Sequence, residues 1–265
     1  MTPAQLVPNV AYRQPYWVLP DRRITMASSA ALAVLFVAVL TGVLAPGERA
    51  AQLLLDRHST IYPFTIQNFE HLFFFLGLGE LFVRWRVGAR ELAFAHRGLL
   101  PEDPHTVLQA QDLSMLRHRV ANQFDGEHGF LPSLIDLCIL QFQSGRSVDQ
   151  TVAVMSSSLE LIEHRVDMRY GLVRYIAWLV PTLGFIGTVI GLGGSLAAVP
   201  SDSSKIDMAE IAKTLSLGFD CTMVALAESA VLVYLLYLVN EQEEKAVNLS
   251  GTYVLRNLIN RLYAG

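Results

Sequence analysis

The segment Pro181-Thr182-Leu183-Gly184-Phe185-Ile186-Gly187-Thr188-Val189-Ile190-Gly191-Leu192 constrains this chain more than any other. It lies inside an uncharged apolar stretch long enough to cross a bilayer, for which roughly 20 residues are needed. Gly184, Gly187, Gly191, Gly193 and Gly194 strip that stretch of bulk, and Thr188 sets a hydroxyl in its middle. A glycine costs a helix about 1 kcal/mol relative to alanine, so a helix that only faced lipid would gain nothing from them. Small residues at helical spacing instead let a second membrane helix approach closely. The segment is built to be packed against, and a hydroxyl on its slim face is a wet point suited to a narrow pore.

The rest of the chain places this segment in a membrane protein. Of 265 residues, 52% are hydrophobic and 17% charged, against about 25% charged in an ordinary soluble domain. The charge is clustered, leaving long runs without any. This pattern predicts an all-α polytopic membrane protein with four transmembrane helices, at 26–46, 63–85, 173–199 and 209–239. A leader, 1–25, precedes the first. The connections 47–62 and 200–208 are short, a helical region fills 86–172, and a C-terminal helix covers 240–265. The first apolar run follows Asp21-Arg22-Arg23 and ends at Pro46-Gly47 without a small-x-small site, so it reads as a retained span rather than a cleaved signal.

Basic residues give the orientation. Arg22 and Arg23 precede the first span; Arg84, Arg86 and Arg90 follow the second; Arg165, Arg169 and Arg174 precede the third; Lys245, Arg256 and Arg261 follow the fourth. The two short connections carry only Arg49, Arg57 and Lys205. Both termini and the long middle region are therefore expected in the cytoplasm. A formal net charge of −4 offers no footprint for nucleic acid. Cys138 and Cys221 form no Cys-x-x-Cys pair and indicate neither a disulfide framework nor a zinc site. No Gly-Lys-Ser or Gly-Lys-Thr occurs, which argues against direct nucleotide use.

The last two spans carry matched stripes. On the third, Pro181, Gly184, Thr188, Gly191 and Ser195 share one helical face, with Gly187 beside them; on the fourth, Gly218, Thr222, Ala225 and Ser229 do the same. Each stripe is narrow and weakly polar, with a threonine near mid-membrane. Two readings compete: close helix–helix packing with each threonine bonded to backbone, or a pore or groove around another transmembrane helix. The second is preferred because the stripes match.

Ionisable residues within the spans are the other signal, since a charge at the bilayer centre costs at least about 2.5–3.5 kcal/mol. Asp220 reads either as part of an ion path or as an inter-subunit hydrogen-bonding group. Glu228 reads as a protonated or paired structural carboxyl, and His71 as a satisfied interior histidine rather than a relay. Glu70 lies in the same span as His71. Glu80 is expected to pair with Arg84 at i+4. Phe73, Phe74, Phe75, Phe82 and Trp85 read as lipid-facing bulk and an interfacial anchor.

In the middle region Leu134, Leu137, Cys138 and Phe142 have helical apolar spacing. Pro101, Pro104, Gly126, Gly129 and Pro132 are expected to break it into pieces. Ser147 to Gln150 has the form of a capping box. From there to Val180 no proline intervenes, so one helix is expected to run into the third span.

These residues together resemble a known family. Pro-x-Leu-Gly-x-x-Gly-Thr-Val-x-Gly, here Pro181 through Gly191, precedes a final span with Leu215, Asp220, Thr222 and Leu226. That combination resembles the MotA/TolQ/ExbB proton-channel family over roughly 172–244. The resemblance implies a homo-oligomeric ring, a pentamer, whose last two spans surround the single transmembrane helices of a MotB/TolR/ExbD-like partner. The partner's aspartate would carry the proton, and Thr188 and Thr222 would sit beside it. Protons or sodium would be the transported ion, with no other cofactor, in a bacterial inner membrane. Ion flow would drive rotation or force. Four spans look more like MotA, whereas Gly187-Thr188 points to the TolQ/ExbB side. Cys221 stands for the first threonine of a Phe-Asp-Thr-Thr run, and Glu228 for a small or aliphatic residue.

Two other functions were weighed. A non-conducting membrane scaffold needs neither threonine. An intramembrane hydrolase would use Ser195 as nucleophile and His71 as base, but it lacks a Gly-x-Ser-x-Gly context. The expectation is a subunit of an ion-driven motor, not an enzyme.

Overall fold

The computed structural model describes residues 20–57, 59, 61–103, 105–120, 129–197, 199 and 208–263. Most of the leader 1–25, Pro104, Gly126 and Lys205 in the connection 200–208 lie outside the described residues. The helices are α1 (Arg22–Val43), α2 (Arg49–Leu55), α3 (Ile66–Ala95), α4 (Ala110–Val120), α5 (Phe130–Gly145), α6 (Val148–Arg169), α7 (Gly171–Ala197) and α8 (Met208–Asn257), followed by a 3-10 turn at Ile259–Arg261. Among the described residues the only β-pairing is an isolated bridge between Leu108 and Leu262. The chain divides into two compact units, one holding Pro20–Val83 and Gly171–Leu238, the other Arg84–Tyr170 and Val239–Gly265. Helices α3 and α8 contribute residues to both.

The first unit has a surface that water would not tolerate. Leu32, Val34, Leu35 and Val39 of α1, Trp178, Phe185, Val189 and Ile190 of α7, and Met223, Leu226 and Val233 of α8 are all exposed. A contiguous apolar surface of this kind belongs against lipid or protein. Among the described residues three helical stretches are long and apolar enough to cross a membrane: Arg22–Val43, one within Val148–Ala197 and one within Ile211–Arg261. The chain is a membrane protein.

Helix α3, expected as the second crossing, is not among those three. The reason lies on its inner face, where Gln67, Glu70, His71 and Glu80 are buried at 2% exposure or less. Those polar side chains dilute its apolarity while pointing away from the surface. Its phenylalanines are also less lipid-facing than expected. Phe75 packs on Phe36 of α1 with ring centroids 5.2 Å apart, and only Phe82 and Trp85 of that set are exposed.

Helix ends depart from the sequence expectations for local reasons. α1 starts where the Asp21 side chain accepts the Arg23 N–H at 2.9 Å. At its far end the Arg57 guanidinium donates to the Thr41 and Leu44 carbonyls at 3.0 and 2.6 Å, satisfying groups that a helix C-terminus leaves open. α3 does not stop near Arg84 but continues through Gly88 to Ala95. α8 likewise passes residue 239 without a break, because no proline interrupts it, and forms one helix of 50 residues. At 1.5 Å per residue that is about 75 Å, well over twice the roughly 30 Å apolar thickness of a bilayer. The expected continuous helix into the third span is interrupted at one residue, Tyr170, whose N–H bonds to Asp167 O at 3.1 Å.

The second unit is organised by buried polar anchors. Tyr170 is fully buried and donates its hydroxyl to Glu243 Oε2 at 2.8 Å, with Arg169 Nη1 3.7 Å from the other carboxylate oxygen. Burial raises the Glu243 carboxyl above its ordinary value against the pull of Tyr170, Arg84 and Arg169. Helix α5 buries Leu131, Leu134, Ile135, Cys138, Ile139 and Phe142, while Leu137 is only half-buried. Pro132 does not break α5; it sits in the first turn, where a missing N–H costs no intrahelical bond. Ser147 caps α6 as expected, accepting the Gln150 N–H at 3.3 Å. Arg261 donates to Pro101 O at 2.6 Å and Glu102 O at 3.0 Å, tying the C-terminal turn down.

Glu91 of α3 holds the start of α5. Its two carboxylate oxygens accept the N–H groups of Gly129 and Phe130, each at 2.7 Å. Gly129 sits at φ 88, a conformation that costs glycine little. Burial, the largest influence, pushes the Glu91 carboxyl up from 4.5 to about 7 despite these donors. The folded state therefore holds the Glu91 proton more tightly than the unfolded chain. Its contribution to stability is full below about pH 4.5 and is lost as pH rises through about 7. Glu91→Gln keeps one acceptor and turns an amide N–H toward the second donor. Thermal unfolding of the detergent-solubilised chain should show a loss of about 1–3 kcal/mol and a flatter pH dependence across that window.

Candidate functional site

Within the first unit, α7 and α8 pack through their small residues. A methyl group at Gly191 would lie 2.7 Å from Gly218 Cα, and one at Gly184 would lie 2.6 Å from Ala225 Cβ and 3.0 Å from Thr222 Cα. Atoms of real side chains do not come that close. Glycine at these two positions is required by the approach of the facing backbone. Gly187 and Gly218 are buried in the same seam, as is Ala225. The stripes were expected to turn toward a pore or a foreign helix; instead their glycine faces turn toward each other. The cause is steric, since backbone can meet backbone only where both helices lack bulk.

Hydroxyl-to-carbonyl bonds cross the same seam. Ser229 Oγ donates to Ala177 O at 3.1 Å. Ala177 is the carbonyl four residues before Pro181, which has no N–H to give it, so the serine supplies the missing donor. Ser195 is buried and donates to Gly191 O at 2.8 Å and Ile211 O at 3.2 Å.

Thr188 and Thr222 stand out from their neighbours. Their hydroxyls hydrogen-bond to each other. Thr222 Oγ1 also lies 2.8 Å from Gly184 O, and Thr188 Oγ1 3.0 Å from Gly218 O, each on the opposite helix. Each also lies 3.4 Å from the carbonyl four residues back on its own helix; each hydroxyl has one proton, so two protons serve five contacts. One threonine donates to a carbonyl while the other donates to it, and the pattern can reverse. Both are half-buried, at the edge of a seam whose glycines are buried. Exposed apolar side chains flank them: Phe185 and Val189 on α7, Phe219 and Met223 on α8.

The ionisable residues find partners that spacing could not supply. Asp220, 3% exposed, receives Arg49 Nη2 at 2.7 Å, and Arg49 Nη1 donates to Ser216 Oγ at 3.1 Å. Asp220 thus has a cation from its own chain on one carboxylate oxygen, while its Oδ2 is buried and has no hydrogen-bond partner among the described residues. Arg49, counted in the sequence only for orientation, is a residue of the site; its signal was an isolated arginine in an otherwise apolar connection. His71 and Glu228 meet, Nδ1 to Oε1 at 2.5 Å, so both are paired groups. Glu80 takes Arg22 Nε of α1 at 2.9 Å, a partner 58 positions away in the chain. Ser195 and His71 are not brought together: the serine bonds carbonyls and the histidine bonds Glu228 and Leu54 O. Among the described residues no group of three or more His, Cys, Asp or Glu is arranged to hold a metal ion.

The family model described as the MotA/TolQ/ExbB proton channel family matches residues 124–249. That stretch contains α7, most of α8 and the whole Thr188–Thr222 seam. No curated protein and no solved structure gives a significant match to the chain.

The seam makes a direct test of its packing possible. Gly191→Ala should force α7 and α8 apart and lower the thermal stability of the solubilised chain by about 1–3 kcal/mol. Gly193→Ala, two residues on, meets nothing within 4 Å and should not destabilise in the same measurement, gaining up to about 1 kcal/mol of helix propensity.

Proposed function

We propose that this chain, which over residues 124–249 belongs to the MotA/TolQ/ExbB proton channel family, is the ring-forming subunit of an ion-driven membrane complex. It crosses a bacterial inner membrane four times with both termini cytoplasmic. Copies of it, five by the resemblance, surround the transmembrane helices of a single-span MotB/TolR/ExbD-like partner. The partner supplies the carboxylate that carries a proton, or a sodium ion, and ion flow is converted to rotation or force.

The observation that carries this reading is the half-exposed hydroxyl pair of Thr188 and Thr222. An ion path through a protein needs polar groups that are neither sealed nor fully solvated. A pair that shares its two protons among several acceptors can turn one hydroxyl to donate to a passing carboxylate, or to accept from a passing carboxylic acid, while the other hydroxyl keeps its partner. The exposed apolar residues beside the pair offer the surface that a surrounding subunit or an enclosed helix would cover. α7 and α8 then act as one rigid wall, because their glycine faces are closed on each other. Asp220, neutralised by Arg49, steadies that wall and leaves the ion-carrying carboxylate to the partner.

A second reading is favoured by one observation: both threonines are already satisfied within their own chain, as a non-conducting scaffold would require. Flux through the wild-type chain and through Thr188→Val and Thr222→Val separates the two. With the chain co-reconstituted with its single-span partner in liposomes, ion flux should fall about tenfold or more for each, equivalent to about 1.4 kcal/mol on the barrier, while the complex still co-purifies. Absence of ion flux with the wild-type chain would establish the scaffold, and flux unchanged in both variants would remove the two threonines from the ion path.

A further inference from the structure

Away from the Thr188–Thr222 seam, the first unit buries a second polar group. His71 of α3 is 2% exposed, and both ring nitrogens are engaged: Nδ1 with Glu228 Oε1 at 2.5 Å and Nε2 with Leu54 O at 2.9 Å. A backbone carbonyl can only accept. Nε2 must therefore carry a hydrogen and donate it to Leu54. The Nδ1 to Oε1 contact joins a nitrogen and a carboxylate oxygen at hydrogen-bonding distance, and that contact also needs a proton. Either the imidazole is fully protonated and donates to an ionised Glu228, or Glu228 is protonated and donates to the imidazole. In both cases the pair holds one proton more than a neutral histidine beside a free carboxylate.

Glu70, the preceding residue, is fully buried, and neither of its carboxylate oxygens has a hydrogen-bond partner among the described residues. It is close enough to Glu228 for the two charges to act on each other. The second oxygen of Glu228 is also unpartnered. One turn earlier on the same face, Gln67 is 1% exposed with both amide atoms unpartnered. The charged and titratable groups around the cluster are few. α8 brings Asp220, which Arg49 of α2 neutralises, and Cys221; Asp56 at the end of α2 acts on Cys221 together with Glu70. From α1 the Phe36 ring meets His71 edge-on at 5.3 Å. Among the described residues no cation pairs with Glu70, and an uncompensated carboxylate in such a place is costly.

We propose that Glu70, His71 and Glu228 form a proton-binding site inside the subunit, with one proton resident between His71 and Glu228 and a second, exchangeable proton on Glu70. The exchange is a simple protonation: an O–H bond forms on Glu70 as the proton enters and breaks as it leaves. The site lies on the chain itself and needs no carboxylate from a partner. It also stands whether or not the ring reading holds.

The test uses the full chain in lipid nanodiscs, without partner or gradient, so its outcome is separate from that of the flux experiment. Nitrogen NMR of labelled histidine, with His71→Asn for assignment, reads the resident proton. Infrared spectroscopy reads protonated carboxyls. In the wild type at about pH 7, the His71 signals should show a hydrogen on Nε2 and a proton shared with Glu228 at Nδ1. In Glu228→Gln the shared-proton signal should be lost, because the introduced amide can donate to Nδ1. In Glu70→Gln one protonated-carboxyl band should disappear while the His71 signals remain. The wild-type measurement needs no variant to fold. A His71 that shares no proton with Glu228, or a carboxyl spectrum unchanged by Glu70→Gln, would overturn the proposal.

Discussion

Where two glycines meet, the distance between helix axes is no longer set by side chains but by backbone, and that is the situation at Gly191 and Gly218. The approach brings peptide carbonyls of one helix within reach of hydroxyls on the other. Thr188, Thr222, Ser195 and Ser229 all use it, each donating to or sharing a carbonyl across the seam. In an apolar surrounding these bonds have no competing water, so the seam combines dense contact with directional bonding. Without the glycines the carbonyls would be out of reach and Pro181 would leave Ala177 O without a donor. The position of the hydroxyl pair, and hence the reading of function, depends on this approach.

The same unit shows how buried charge is distributed. Asp220 has an arginine, Glu80 has an arginine, and Glu228 has a histidine; Glu70 has no hydrogen-bonding partner among the described residues. The first two pairs use a cation that reaches in from a more exposed position, since the side chains of Arg22 and Arg49 are over half exposed while their carboxylates are at 5% or less. Such pairs steady a helix bundle by placing a fixed cation against a buried carboxylate. The His71, Glu228 and Glu70 group is of another kind: Glu228 meets a histidine, and neither oxygen of Glu70 has a hydrogen-bond partner among the described residues.

The two stretches of sequence that were hardest to read follow from long helices. α3 and α8 run on past the residues where charges first appear, because a run of basic and acidic side chains ends apolar character without ending a helix. Hydropathy marks where a helix leaves lipid; it does not mark where the helix stops. Stops come instead from local chemistry, such as Gly98 at φ 59 a few residues beyond α3, or Arg57 closing the open carbonyls of α1.

Composition and periodicity alone determined the helical class, the membrane character, the capped start of α6, and the two stripes with a threonine in each. Those are properties of residues close together in the chain, where helical spacing converts sequence into a face. They also carried the family resemblance, because its motif lies almost wholly on α7 and the first half of α8. Tertiary structure alone decided what each face meets. The matched stripes favoured a pore or a groove around a foreign helix, and backbone contact at Gly184 and Gly191 instead brings their glycine faces together within the chain. Asp220 with Arg49, and His71 with Glu228, lie 171 and 157 positions apart. No spacing rule reaches that far, because such pairs are set by how helices assemble rather than by how each one winds.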